Sequence, residues 1–287
     1  MKKKLIFIND IPKQFVEHQE YIREILNDYF NDLDFDCELK IKFIDCASVN
    51  EYEVTDCVVI NKSIKNYELL ITNSVLDTIN LDGGRFFCLS IYHEFEHIRD
   101  YSQMMKTGLF KFNLCLARQN NFERAYISTG FLFWTEIYAY YRTLQVEKQK
   151  ELYFEKITFG SLVKNYVKTV AQNKSLYYKK DLNYDEAIKY INTVDSFIYL
   201  CAKYMASAYI SHSRVPYARI DKNKDYKKVY SILCGLEPKI KRLTRNTYGP
   251  QSHINLFKLG KHICKNIRWK IFKVGLIKKN RKIVSFY

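Results

Sequence analysis

Ile91-Tyr92-His93-Glu94-Phe95-Glu96-His97-Ile98-Arg99-Asp100 sets two histidines four positions apart, with a glutamate directly after the first. Upstream and within it, Phe87, Ile91, Phe95 and Ile98 recur at the spacing of one apolar helical stripe, which predicts a helix over roughly Arg85–Met105. On a helix, residues i and i+4 stand one above the other, so both imidazoles reach one metal ion. Glu94 is turned away by roughly 100°. That offset lets it miss the metal and meet a water held there, whose proton a neighbouring carboxylate can take. Both histidines point away from the apolar stripe, which argues against core packing. The bland reading is a pair of surface histidines on an amphipathic helix.

Two histidines leave a catalytic metal short of a ligand; three protein ligands and one open position are the usual arrangement. Asp100 is seven residues from His93, about 10 Å along the axis, too far to share the ion. It reads as a partner of a ligating imidazole or as an exposed charge. The third ligand is therefore expected from the next helix, roughly Phe122–Val146. Glu136 lies there within Phe133-Trp134-Thr135-Glu136-Ile137-Tyr138-Ala139-Tyr140, an apolar setting where a carboxylate is costly unless a cation or metal satisfies it. Glu123, beside Arg124 near the helix start, is the alternative; a carboxylate there also suits the helix dipole. Tyr140 and His212 are the candidates for stabilising a developing oxyanion, with core packing the competing role for Tyr140. His18, His253 and His262 have no partner spacing and read as surface residues.

Working outward, Ile11–Phe30 has helical spacing. Phe35–Asp45 alternates, with Cys37, Leu39, Ile41 and Phe43 on one side and charged residues on the other, which predicts a half-buried strand. Asp56–Ile60 and Tyr67–Thr72 read as two more strands around an Asn61–Asn66 turn. Asp82-Gly83-Gly84 punctuates the chain before the histidine helix. Beyond residue 150 the pattern is helical, near Phe159–Ala171, Tyr184–Ser211, Tyr226–Gly235 and Ile254–Trp269. The expected organisation is an α+β domain over 1–150 and a basic, mainly helical domain over 151–287.

Composition limits the alternatives. With 47% hydrophobic and 16% aromatic residues the chain is too apolar to be disordered, and only 9 Gly and 4 Pro disfavour a loop-rich all-β fold. The 46 Lys+Arg against 31 Asp+Glu give a formal charge of +15, with the excess gathered in Lys222–Arg245 and Lys258–Lys282. That points either to a solvated basic surface or to an acidic or nucleic-acid partner for the C-terminal half. The 8 cysteines form no C-x-x-C pair, so neither a zinc ribbon nor a disulfide scaffold is expected. The apolar run after Met1-Lys-Lys-Lys is too short for a signal peptide, and Ser196–Ile210, interrupted by Lys203, is too short for a membrane span. A cytoplasmic protein with no membrane span is the expectation.

A helix, three short strands, an H-E-x-x-H helix and a following helix carrying Glu136 and Ala139 in an E-x-x-A pattern resemble the gluzincin group of zinc metallopeptidases. Within it, they are similar to the compact ImmA/IrrE-type peptidases of bacteria and their mobile elements. The resemblance covers roughly residues 10–148. It implies a zincin-like domain with Zn2+ on His93, His97 and Glu136, Glu94 as catalytic base, and hydrolysis of a protein or peptide substrate. It also implies a sheet-edge strand that pairs with extended substrate, for which Tyr67–Ser74 is the candidate. Phe95-Glu96 stands where that group usually has Leu-Gly, adding a negative charge to the metal helix. The competing readings are a catalytically silent zincin-fold module that binds nucleic acid or an acidic protein through its basic half, and a toxin-like factor acting on one dedicated protein.

Overall fold

The computed structural model describes residues 3–45, 57–63, 65–106, 121–149, 157–177, 184–210, 223–245, 252–272, 278–279 and 282–283. The chain divides into two compact units. One comprises Met1–Gly108 with Arg142–Glu155, the other Leu109–Tyr141 with Lys156–Tyr287. The architecture is α+β and mainly helical, with one small mixed sheet.

In the first unit the strands β1 (Lys4–Phe7), β2 (Glu38–Ile44), β3 (Val58–Ser63) and β4 (Asn66–Thr72) form a sheet in the order β1-β2-β4-β3. β1, β2 and β4 are parallel, and β3 runs antiparallel to β4. Alternation along β2 behaves as its sequence predicts: Leu39, Ile41 and Phe43 are buried while Lys40 and Lys42 are exposed. Asn9 extends the pairing beyond β1, its side-chain amide exchanging two hydrogen bonds with the Phe43 backbone at 2.7 and 2.9 Å. The segment expected as a turn is tighter than its sequence suggests, since β3 runs to Ser63 and β4 begins at Asn66.

Against the buried face lie α1 (Gln19–Asn31), preceded by a 3₁₀ turn at Lys13–His18, then α2 (Asn73–Asp82) and α3 (Arg85–Lys106). Ile22, Leu26 and Phe30 of α1 join Phe87, Ile91, Phe95 and Ile98 of α3 and the inner residues of β2 and β4 in one core. The apolar stripe read from α3 is therefore the face it buries. Asp82 starts that helix: its carboxylate accepts the Gly84 N–H at 3.1 Å and the Phe86 N–H at 2.9 Å. This satisfies donors that the first turn leaves open. Gly83 and Gly84 both take positive φ, 69° and 81°, and a Cβ on Gly84 would lie 2.4 Å from Tyr21 Oη. The turn needs glycine at Gly84 on both counts.

The second unit is mainly helical among the described residues. It takes the first part of α4 (Asn121–Gln149) together with α5 (Phe159–Tyr177), α6 (Tyr184–Ile210), α7 (Lys224–Arg245) and α8 (Ser252–His262). The last helix continues as a π-helical segment, Ile263–Trp269. A two-residue antiparallel pair, β5 (Lys278–Lys279) with β6 (Lys282–Ile283), follows. Tyr166, Phe197 and Phe272 pack as three mutually tilted rings with centroids 5.5–5.9 Å apart. α4 and α8 cross at Gly130 and Gly260, where an added Cβ would run into the facing helix backbone. α7 outlasts the Tyr226–Gly235 span expected from sequence and carries Pro238 internally. Pro238 is exposed, while Leu236, Ile240 and Leu243 stay buried on the other side, so tertiary packing outweighs the local break. Among the described residues no helix is long and apolar enough to cross a membrane.

Candidate metal centre

α3 is held by its buried stripe, and this fixes the opposite face of the helix. His93 and His97 stand one turn apart with their Nε2 atoms 3.0 Å apart and their ring planes perpendicular. A single ion about 2.0–2.1 Å from each nitrogen can bind both at that separation. The donor atoms of His93, Glu94 and His97 all lie within 4.8 Å of one another. His93 is half-buried, and Glu94 and His97 are each only 8% exposed, so the group is shielded from bulk water. Two converging imidazoles with an adjoining carboxylate suit zinc or a similar divalent ion.

Glu94 is positioned from outside its own helix. The backbone N–H of Val59 on β3 donates to its Oε2 at 2.7 Å. Val59 sits opposite Leu69 in the antiparallel pair, so an N–H aimed at α3 is turned away from β4 and out along the sheet edge. This identifies the edge strand beside the centre as β3. Tyr67–Ser74, expected at the edge, instead falls on β4 and the first residues of α2, and β4 lies inside the sheet between β2 and β3. Sequence could not distinguish the two, because strand order is set by pairing partners far apart in the chain.

Glu96 is fully buried, and its charge is compensated. Arg99, one turn along α3, pairs with Oε1 at 2.5 Å, and Arg142 Nε lies 3.6 Å from Oε2. Arg99 also reaches the Asp32 carbonyl at 3.3 Å. The neighbouring Tyr92 hydroxyl is pushed up to about 12 by its burial and by the Glu96 carboxylate, which accepts its hydrogen bond. The Arg99 pairing was visible as an i,i+3 spacing; the Arg142 pairing had no sequence signal. Asp100 is buried on the same helix, 1% exposed, which excludes its reading as an exposed charge.

The remaining expected site residues belong to the second unit. Glu136 is on α4 in the second unit, its side chain 15% exposed, with Lys203 Nζ 3.6 Å from Oε1. The same ammonium stands 5.6 Å from the centre of the Tyr140 ring, and Tyr140 is buried at 2% exposure. Glu123 is half-buried in the first turn of α4. His212 falls outside the described residues. His262, expected at the surface, is instead half-buried against α7 and bonded through Nδ1 to Asn266 at 3.0 Å.

Comparison with known proteins returned no matching family model, no matching curated protein and no matching solved structure.

Proposed function

We propose that the first unit carries the centre of a zinc-dependent metallopeptidase that hydrolyses peptide bonds of a protein substrate. The observation that supports it most is the convergence of His93, Glu94 and His97 on one buried locus beside an edge strand. His93 and His97 would supply two nitrogen ligands; the third, Glu136, is assigned from its place in the sequence. Zinc, when bound, would polarise the scissile carbonyl and make water acidic enough to react near neutral pH. Glu94 then acts as general base, taking the proton from the attacking water and delivering it to the leaving amine. Val59 holds that carboxylate in place through its N–H. An extended peptide adding to the outer edge of β3 would run past Glu94, its main chain recognised by strand pairing and its side chains by whatever the edge presents.

Incubation of the zinc-loaded chain with a peptide library, followed by mapping of new amino termini, tests the reading. Cleavage by the wild type and none by Glu94→Gln is expected. A wild type that holds zinc yet leaves the library intact would overturn the peptidase assignment and leave the metal site standing.

A further inference from the structure

From residue 224 to residue 272 the sequence contains only two acidic residues, Asp225 and Glu237, and Glu237 is paired with Lys241 at 2.6 Å. α7 buries Val229, Ile232, Leu236 and Ile240 and turns Lys224, Lys227, Lys228 and Arg242 to solvent. α8 and its π-helical continuation bury Leu259, Ile263 and Ile267 and expose Lys258, Lys261, Lys265, Lys270 and Trp269, the last at 58%.

The two helices that carry these basic faces are neighbours. α7 packs against α8, and at the join His262 covers Gly235 so closely that a Cβ there would lie 2.7 Å from His262 Nε2. Gly235 is half-buried and sits two turns after Lys228 and two turns before Arg242 on α7. Lys239 folds back over it, donating to the Gly235 carbonyl at 2.9 Å. Lys239 Nζ therefore stands at the same join as His262, whose imidazole is held below its usual range by burial first and then by Lys239 and Lys270.

We propose that this surface binds single-stranded nucleic acid, with Lys228, Arg242, Lys265 and Lys270 facing phosphates and Trp269 stacking on a base. A row of cations backed by few acids matches a regularly charged backbone. The exposed indole among them decides between polyanions. A single strand offers unpaired bases as stacking partners, worth about 1–3 kcal/mol each. A duplex or an acidic peptide would leave the ring in water, and a membrane surface would call for an apolar row where α7 shows lysines. The surface belongs to the second unit and does not depend on the metal chemistry.

The test is fluorescence anisotropy of labelled oligo-dT titrated with the full chain at rising salt. Trp269 serves as an internal probe, because the other tryptophan, Trp134, is only 3% exposed. Binding that weakens linearly on a log–log salt plot, with quenching of Trp269 emission, is expected. Lys228→Gln/Arg242→Gln/Lys265→Gln should weaken it at least tenfold and flatten the salt slope by roughly 0.7 per cation removed. These are exposed positions, and circular dichroism verifies that the variant is folded. Trp269→Ala should weaken single-strand binding and leave duplex binding unchanged. The proposal is overturned if the folded wild type does not bind, or if the triple variant binds as tightly as wild type. It is equally overturned if duplex DNA, polyglutamate or anionic phospholipid vesicles compete as well as oligo-dT.

Discussion

Glu94 accepts a hydrogen bond from the Val59 backbone and stands within 4.8 Å of two imidazoles that converge on one point. If it is the general base, Glu94→Gln keeps the side chain's shape and loses the proton acceptor. Turnover should then fall by about 10²–10⁴-fold while zinc content stays at the wild-type level. Equal loss of zinc and activity would mean that Glu94 acts as a ligand. Glu96 differs although it is only two positions away. It is buried with Arg99 and Arg142 around it, so its charge serves packing. Glu96→Leu should destabilise by about 1–3 kcal/mol in urea unfolding, below the roughly 3–5 kcal/mol of a fully buried broken pair, because both arginines retain access to water. The H-E-x-x-H spacing made His93, Glu94 and His97 legible at this scale, since helix geometry alone brings i and i+4 together. Arg142 was not legible, being 46 positions from Glu96 with no periodic relation to it. Glu136 stood out in the sequence for its apolar neighbours, and in the structure Lys203 Nζ lies 3.6 Å from its carboxylate.

At the scale of elements, α3 depends on how it begins. Asp82 accepts the N–H of Phe86 in the first turn of α3 and that of Gly84 just before it, and Asp82→Ala should cost about 1 kcal/mol of stability. Thermal unfolding reads this directly, and an unchanged midpoint would show that water replaces the cap at no cost. The long amphipathic elements were legible because their periods are many residues deep: α3, α4 and α6 lie close to their expected bounds. Short elements were not. Lys4–Phe7 is too brief to show alternation and becomes β1 only by pairing with β2. Asn73–Asp82 buries Val75, Leu76 and Ile79 at helical spacing, but its asparagines and β-branched residues dilute the local preference. Strand order was the largest omission, and it changed which strand borders the candidate site.

For the whole molecule, pH and metal are the two informative variables. Burial, followed by Lys239 and Lys270, pushes the His262 imidazole down to about 4 from its ordinary 6.5. Between those values the unfolded chain binds a proton that the folded chain refuses. The stability this neutral ring contributes is therefore complete above pH 6.5 and is lost as pH falls toward 4. Lowering the pH from about 7 to about 5 should depress the unfolding midpoint more in wild type than in His262→Asn. Parallel decreases would contradict the assignment. The clustering of positive charge late in the chain was legible from composition, whereas the packing of α7 on α8 was not, because it depends on the contact between His262 and Gly235. The central claim is the metal centre, and elemental analysis of purified wild type, His97→Ala and Glu136→Gln tests it most directly. The account predicts about one zinc per chain in wild type, lost in His97→Ala and weakened in Glu136→Gln, with three protein ligands as the basis. A folded wild type that binds no zinc when supplied with it would contradict the account.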